Sequence, residues 1–308
     1  MRKSKHIAAI AFVATFGLIA AACGSDDAKT STDTKAPAGS TAETTAPTTG
    51  ETTTPGTDGT MPAGDLKVGI AFDTGGRGDG TFNDSAARGA DQAKSELGAS
   101  IDELEATNAE DRQPNLETLT GNGDNPVIAV GFAFGEGLAT VAANNPDTSY
   151  AIVDGFIENA PANVTFLGFA ENEGSFLVGA AAALKSKTGH IGFIGGQEID
   201  LIKKFEAGYT AGAKYINPDI KVEVQYLGAA GDNNAWNSPD KAKEIANGWY
   251  AAGADVVYTA AGGSGNGTIE AAVESNAWAI GVDSDQYLTA TPEQQKHILT
   301  SMLKRVDV

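Results

Sequence analysis

From residue 66 onward the chain alternates short apolar runs with longer stretches whose apolar residues recur at helical spacing. "LKVGIAF" (66–72) reads as a buried strand, and the next segment carries Phe82, Ala86, Ala90, Ala93 and Leu97 on one helical face. "PVIAVGF" (126–132), "SYAIVDG" (149–155), "HIGFIGG" (190–196), "IKVEVQYL" (220–227), "ADVVYTA" (254–260) and "WAIGVDSD" (278–285) read as further strands, with helical patterns between them. One of those helices runs through "SPDKAKEIANGWYAAG", with Ser238 placed to cap it. Such a march predicts parallel sheets covered by helices. There are too many units for one small sheet, and "HIGFIGG" reads as the restart of a second. Two doubly wound lobes are therefore expected, with a ligand in the crevice at the carboxyl ends of their strands. Asp73, Asp154, Gly195, Gly262 and Asp283 all fall just after strands.

The Gly-rich loop "FDTGGRGDGTFND" (72–84) raises two other possibilities, phosphate binding and Arg-Gly-Asp adhesion. Phosphate is disfavoured, because Arg77 is the only cation and Asp73, Asp79 and Asp84 surround it. Thr81 stands where a dinucleotide fingerprint starting at Gly76 needs its last glycine, and the chain has no G-x-x-x-x-G-K-[ST]. If the loop faces the crevice, Arg77-Gly78-Asp79 is a coincidence. "GGSGNG" (262–267) approaches a nucleophile elbow but has Asn266 at the last glycine. His190 and His297 are the histidines past the leader, and no metal-ligand set is apparent. Neither a cofactor, a metal nor catalysis is expected.

The first 64 residues differ from the rest. Arg2, Lys3 and Lys5 precede the apolar run 7–22, the layout of an export signal over residues 1–22. Cys23, the only cysteine, follows Ala20-Ala21-Ala22. That arrangement resembles the lipobox of bacterial lipoproteins, although Leu is commoner than Ala three places before the cysteine. The plainer alternative is an ordinary signal peptide with a stray cysteine. Residues 23–64 are then a lipidated cysteine followed by a Thr/Pro-rich tether, too polar to offset its own ordering entropy. The resulting expectation is a protein anchored by lipid on the extracytoplasmic face of the cell membrane. A net charge of −19 argues against nucleic acid as a partner.

The strand ends also carry a family pattern. "KVGIAFDTGGRGDGTFNDSAARG", "AIVDG", "FAENEGSFLVGAAAAL", "IGFIGG", "KKFEAGYTAGAKYINP", "AAGGSGNG" and "WAIGVDSDQ…TSMLKRVDV", in this order, resemble the basic membrane protein family. These are substrate-binding lipoproteins of ABC importers, similar to bacterial purine-nucleoside receptors. The resemblance implies a type I periplasmic-binding-protein fold, with two Rossmann-like lobes and hinge crossovers. It places an N-terminal lobe at 65–168, a C-terminal lobe at 169–285, and a return to the first lobe at 286–308. It further implies a monomer that holds a nucleoside, purine by preference, and works with an ABC permease and ATPase. Two departures stand out. The family continues some tens of residues past "RVDV", so this chain is expected to stop within a helix and lack the closing strands of a lobe. The family's usual Phe before an "ND-P" segment is Trp236 here, with Ser238 in place of the acid.

A base needs flat apolar faces, and the resemblance assigns them to Phe82 and Trp236. By itself Phe82 reads as a core residue at a helix start. Ribose hydroxyls need acceptors, and Asp283 is the leading candidate, with Lys304 donating to a ribose oxygen and pairing with that acid. Asp73 would accept from the base and Asp154 from a sugar hydroxyl. Gly262 or Gly263 would let backbone approach the sugar, and Thr74 and Asn83 complete the candidate set. Read alone, each Asp is a turn or cap residue, and Lys304 is a solvated helix lysine. The rival readings are a nucleoside-processing enzyme and a ligand-sensing surface lipoprotein.

Overall fold

A computed structural model describes residues 66–308. The signal peptide, Cys23 and the tether lie outside the described residues. No helix among the described residues is long and apolar enough to cross a membrane.

The first lobe is a five-stranded parallel sheet. Its strands are β1 (Lys67–Phe72), β2 (Ser100–Glu105), β3 (Val127–Val130), β4 (Tyr150–Val153) and β5 (Val164–Leu167), in the order β2-β1-β3-β4-β5. Helix α1 (Phe82–Leu97) covers one face, and α2 (Arg112–Gly121) and α3 (Gly135–Asn144) cover the other. The second lobe repeats this plan. Strands β6 (His190–Gln197), β7 (Lys221–Gly228), β8 (Val256–Ala260), β9 (Trp278–Asp283) and β10 (Ile298–Leu303) form a parallel sheet in the order β10-β9-β8-β6-β7. Helices α4 (Glu171–Lys185) and α5 (Asp200–Ile216) pack on one face, and α6 (Pro239–Ala251) and α7 (Gly265–Glu274) on the other. With neighbours on both faces, central strands such as "VVYTA" and "HIGFIGGQ" are buried along their whole length, as parallel sheets require. This is the two-lobed type I architecture expected from the sequence.

Each sheet reverses its strand order beside its first strand, β1/β3 in one lobe and β6/β8 in the other. A doubly wound sheet opens a crevice at that point. Register brings the site residues level: Phe72 pairs with Val130 and Val130 with Val153, so Asp73, Gly131 and Asp154 emerge side by side.

Four elements escaped the sequence reading. Strands β2 and β5 are edge strands with no fully buried side chain, so "SIDELE" and "VTFL" lack a continuous apolar run. Helix α2 buries only Leu116, Leu119 and the Arg112 side of its surface. Residues 298–303 form β10, where the sequence suggested a helix. An apolar run this short suits either element, and the open edge of β9 decides for a strand. The return to the first lobe accordingly comes later than residue 286. Strand β10 still belongs to the second sheet, and the segment from Lys304 onward reaches α1, where Val306 joins the apolar layer. Ser238 precedes α6 but makes no side-chain cap. Its hydroxyl donates to the Asn234 carbonyl at 2.7 Å, and Pro239 opens the helix.

Candidate ligand-binding cleft

The loop after β1 explains its glycines. Gly78 and Gly80 hold φ of 97° and 70°, a region that residues with a Cβ avoid. The reversal brings Asp79 under the start of α1, where its carboxylate accepts from the backbone N–H groups of Thr81, Asn83 and Asp84 at 2.8, 2.9 and 3.1 Å. Asp79 thus caps α1 while lining the cleft. Burial pushes its carboxyl up, and these three donors hold part of that back. Arg77 instead pairs with Glu103 and Asp91 at 2.6 and 3.1 Å. The Arg-Gly-Asp triplet is therefore divided between a surface ion-pair group and a helix cap, an arrangement unsuited to adhesion.

Between the lobes lies a cavity of about 250 Å³. Asp73, Thr74, Phe82, Asn83 and Asp154 line it from the first lobe, and Trp236, Gly262, Gly263, Asp283 and Lys304 from the second. All ten residues singled out in the sequence therefore share one cavity. Phe132, Phe205, Asn237 and Asn266 line it too and carried no sequence signal of their own. The lobes touch at its rim. Phe132 meets Trp236 edge to face at 6.2 Å, Ser284 donates to the Thr81 carbonyl at 2.7 Å, and Arg112 reaches Asn233 at 3.5 Å.

Asp73 is not a bare acceptor. Arg112 pairs with its Oδ1 at 2.7 Å, and the Thr74 N–H donates to the same oxygen at 2.7 Å. The sequence missed Arg112 because the partnership joins a strand end to a helix 39 residues away.

Lys304 departs most from expectation. It follows β10 and is 2% exposed, so it is neither helical nor solvated. Its ammonium pairs with Asp154 and, at 3.2 Å, with Glu171 rather than with Asp283. Register sets Leu303 opposite Asp283, so Lys304 falls one residue farther along, within reach of the end of β4. Three phenylalanine rings, Phe82, Phe169 and Phe205, stand 5.6, 5.1 and 5.2 Å from the ammonium, a desolvated cation–π setting. Burial acts to lower the Lys304 pKa, but Asp154, Asp283 and Glu171 outweigh it and leave the ammonium held above its ordinary value. Burial pushes the Asp154 carboxyl up, and Lys304 offsets part of that rise. Asp283, buried at the end of β9, is pushed up to about 7 by burial, with Lys304 opposing. Both Asp154 and Asp283 adopt left-handed backbone conformations with φ of 63°. Such strain collects where a side chain must be aimed.

Ser264 of the "GGSGNG" turn is held by backbone groups on both sides. Its buried hydroxyl donates to the Ala235 carbonyl at 2.9 Å and accepts from the Ser238 N–H at 2.7 Å. It ties the turn that carries Trp236 to the start of α7. No group of three or more metal-ligating side chains occurs among the described residues.

The profile of the family of PnrA-like ABC transporter substrate-binding proteins, Bmp, matches residues 66–308. A nucleoside-binding protein of an ABC transporter from Lactococcus lactis subsp. cremoris, BmpA, is 37% identical over 268 residues, covering 82% of this chain and 74% of that one. Basic membrane protein A of Borreliella afzelii is also 37% identical, over 82% of this chain and 74% of its own. Among solved structures, an ABC transporter solute-binding protein from Aeropyrum pernix K1 superposes with a TM-score of 0.70 at 31% identity, covering 79% of this chain and 68% of that one. Taken with the two-lobed fold and its cleft, these matches establish that the chain belongs to the Bmp family of PnrA-like ABC transporter substrate-binding proteins.

Proposed function

We propose that the cleft captures a nucleoside, purine by preference, and delivers it to the permease and ATPase of an ABC importer. As a family member the chain is an extracytoplasmic substrate-binding component. The finer reading rests on one observation: aromatic rings from both lobes, Phe82 and Trp236, line the same cavity as the buried carboxylate of Asp283. A base stacks on flat apolar faces, and vicinal ribose hydroxyls are donors that a carboxylate accepts. In this reading Asp154 and Lys304 would face the sugar, and Asp73 the base, with Thr74 and Asn83 completing the lining. Gly262 and Gly263 let the backbone come close. The name of the Lactococcus relative points the same way. Ligand contacts from both lobes would stabilise the closed arrangement over an open one.

Calorimetry on ligand-stripped protein with inosine, adenosine, guanosine and cytidine tests this reading. Heat with a nucleoside supports it. Silence with all four, while a sugar or peptide binds, overturns it, and free base accumulating with inosine would reveal an enzyme instead. Phe82→Ala and Trp236→Ala are each expected to weaken nucleoside binding by about 1–3 kcal/mol, roughly 5- to 150-fold. Trp236 emission should change on ligand addition. Unaltered affinity in both variants would remove them as base-stacking faces.

We further propose that Cys23 is lipidated and anchors the protein, as a monomer, to the outer face of the membrane by a polar tether over residues 24–64. Stable anchoring takes more than one acyl chain. Cys23→Ala should move the protein from the membrane fraction to the soluble one. Unchanged partitioning would argue against the anchor.

A further inference from the structure

Glu171 has no part in the roles assigned so far, yet it is 1% exposed. It is the first residue of α4, just past the crossover that leaves β5, and its Oε1 lies 3.2 Å from the Lys304 ammonium. Asp154, at the end of β4, holds the same ammonium from the other lobe. Asp283 stands apart. It lines the cavity, and among the described residues its carboxylate has neither a hydrogen-bond donor nor an ion-pair partner.

The groups around Asp283 are mostly acidic. Asp79 faces it from the loop before α1, Asp154 from β4, Glu171 from α4 and Lys304 from the end of β10. Tyr258 of β8 couples to it as a neutral phenol. Lys204 of α5 lies behind Glu171 at 3.6 Å, and Arg88 of α1 is spent on Ser284 at 3.1 Å. Three buried carboxylates, Asp154, Glu171 and Asp283, thus surround the Lys304 ammonium, with Asp79 beside Asp283, and like charges sharing a desolvated site cannot all ionise freely.

We propose that Glu171 is a positioning residue: by holding the Lys304 ammonium between itself and Asp154, it keeps that cation off Asp283, whose carboxyl then gives up a proton as ligand hydroxyls bind to it. The inference rests on the nucleoside reading of the cleft. The ligand keeps its own O–H bonds, and the proton leaves Asp283 for the buffer. Burial, which holds the ligand-free acid near neutrality, makes the release visible in the accessible pH range.

The test is calorimetry of the full chain with inosine in buffers of different ionisation enthalpy. Wild-type protein is expected to release close to one proton per ligand at about pH 6, about half at pH 7 and almost none at about pH 8.5. Glu171→Gln frees Lys304 to settle on Asp283. It should weaken inosine binding roughly tenfold at about pH 8 and abolish proton release at about pH 7, and Glu171→Asp should restore both. Wild-type binding without proton release, or an E171Q variant that keeps the wild-type proton count, overturns the proposal. Carboxyl-carbon NMR of the ligand-free protein, with Asp283 identified by its loss in Asp283→Asn, supplies an arm that needs no ligand. Its midpoint should lie near neutrality and fall clearly in E171Q. If inosine gives no heat, the nucleoside reading fails and this arm alone decides: a lowered midpoint upholds the role of Glu171, and an unmoved one refutes it. If E171Q does not fold, the proton count of the wild type decides.

Discussion

Asp283→Asn is expected to yield a protein that, on the proposed reading, loses nucleoside binding and is, without ligand, more stable than the wild type at about pH 8. The acid is carried by burial from its ordinary 3.8 up to about 7 in the fold. A raised acid destabilises the fold where the unfolded chain has already lost its proton. The penalty is absent below about pH 4, grows as pH rises toward 7, and is complete above it. At full size it is about 4 kcal/mol at most. Asparagine carries no charge to desolvate, so urea denaturation should show the variant gaining up to that amount at about pH 8 and nothing at about pH 4. On the proposed nucleoside reading the same change removes the acceptor for two ribose hydroxyls, each charge-assisted bond being worth about 1.5–3 kcal/mol. A variant that is no more stable at high pH, or one whose gain does not vary with pH, would mean that Asp283 is not a strained acid in the ligand-free fold. Losing affinity while gaining stability is the behaviour of a residue kept for binding.

Lys304→Met is expected to act in the opposite direction. The substitution keeps an apolar chain among Phe82, Phe169 and Phe205 but removes the charge that pairs with Asp154 and Glu171. Breaking a buried ion pair from one side costs about 3–5 kcal/mol, because the remaining charge stays desolvated. Urea denaturation at about pH 7 should show a loss of that order, and acid should recover part of it as the carboxylates take up protons. Adding Asp154→Asn to the same chain should also recover part of the loss. Undiminished stability in the single variant would show that the ammonium is dispensable to the fold. Lys304 joins the end of β4 to the start of α4, so its loss should loosen the crossover region as well as the cleft.

Much of the cleft was legible before any fold was known. Asp73, Asp154 and Asp283 could be found because each ends an apolar run that local periodicity marks as a strand, and strand ends are where doubly wound sheets bind ligands. Trp236 and Phe82 came from the family resemblance rather than from pattern. Asp79 was read as part of an acidic surrounding, and its role as helix cap needed the glycine turns to be seen in space. The roles of Arg112 and Glu171 were not legible, although Glu171 lies in a stretch that carries the family pattern. Each matters only through one partner, Asp73 or Lys304, and a sequence contains no record of which distant side chains share a hydrogen bond. The pairing of Lys304, expected with Asp283, was misread for the same reason. As a helix residue it would be solvated, but as the residue after β10 it is buried between two lobes.

Apart from β2, β5, α2 and β10, the order of strand and helix units, and the positions where polar residues interrupt them, were determined by the sequence alone, because hydrophobic periodicity and turn chemistry act over a few neighbouring residues. Which acids share the Lys304 ammonium, and which one is left without a cation, was decided only by the tertiary structure. Asp154 and Lys304 lie 150 residues apart, and their pairing depends on two strand ends from different lobes meeting in a place that excludes water. Burial and distance set the strength of charge interactions, and both are properties of the folded chain.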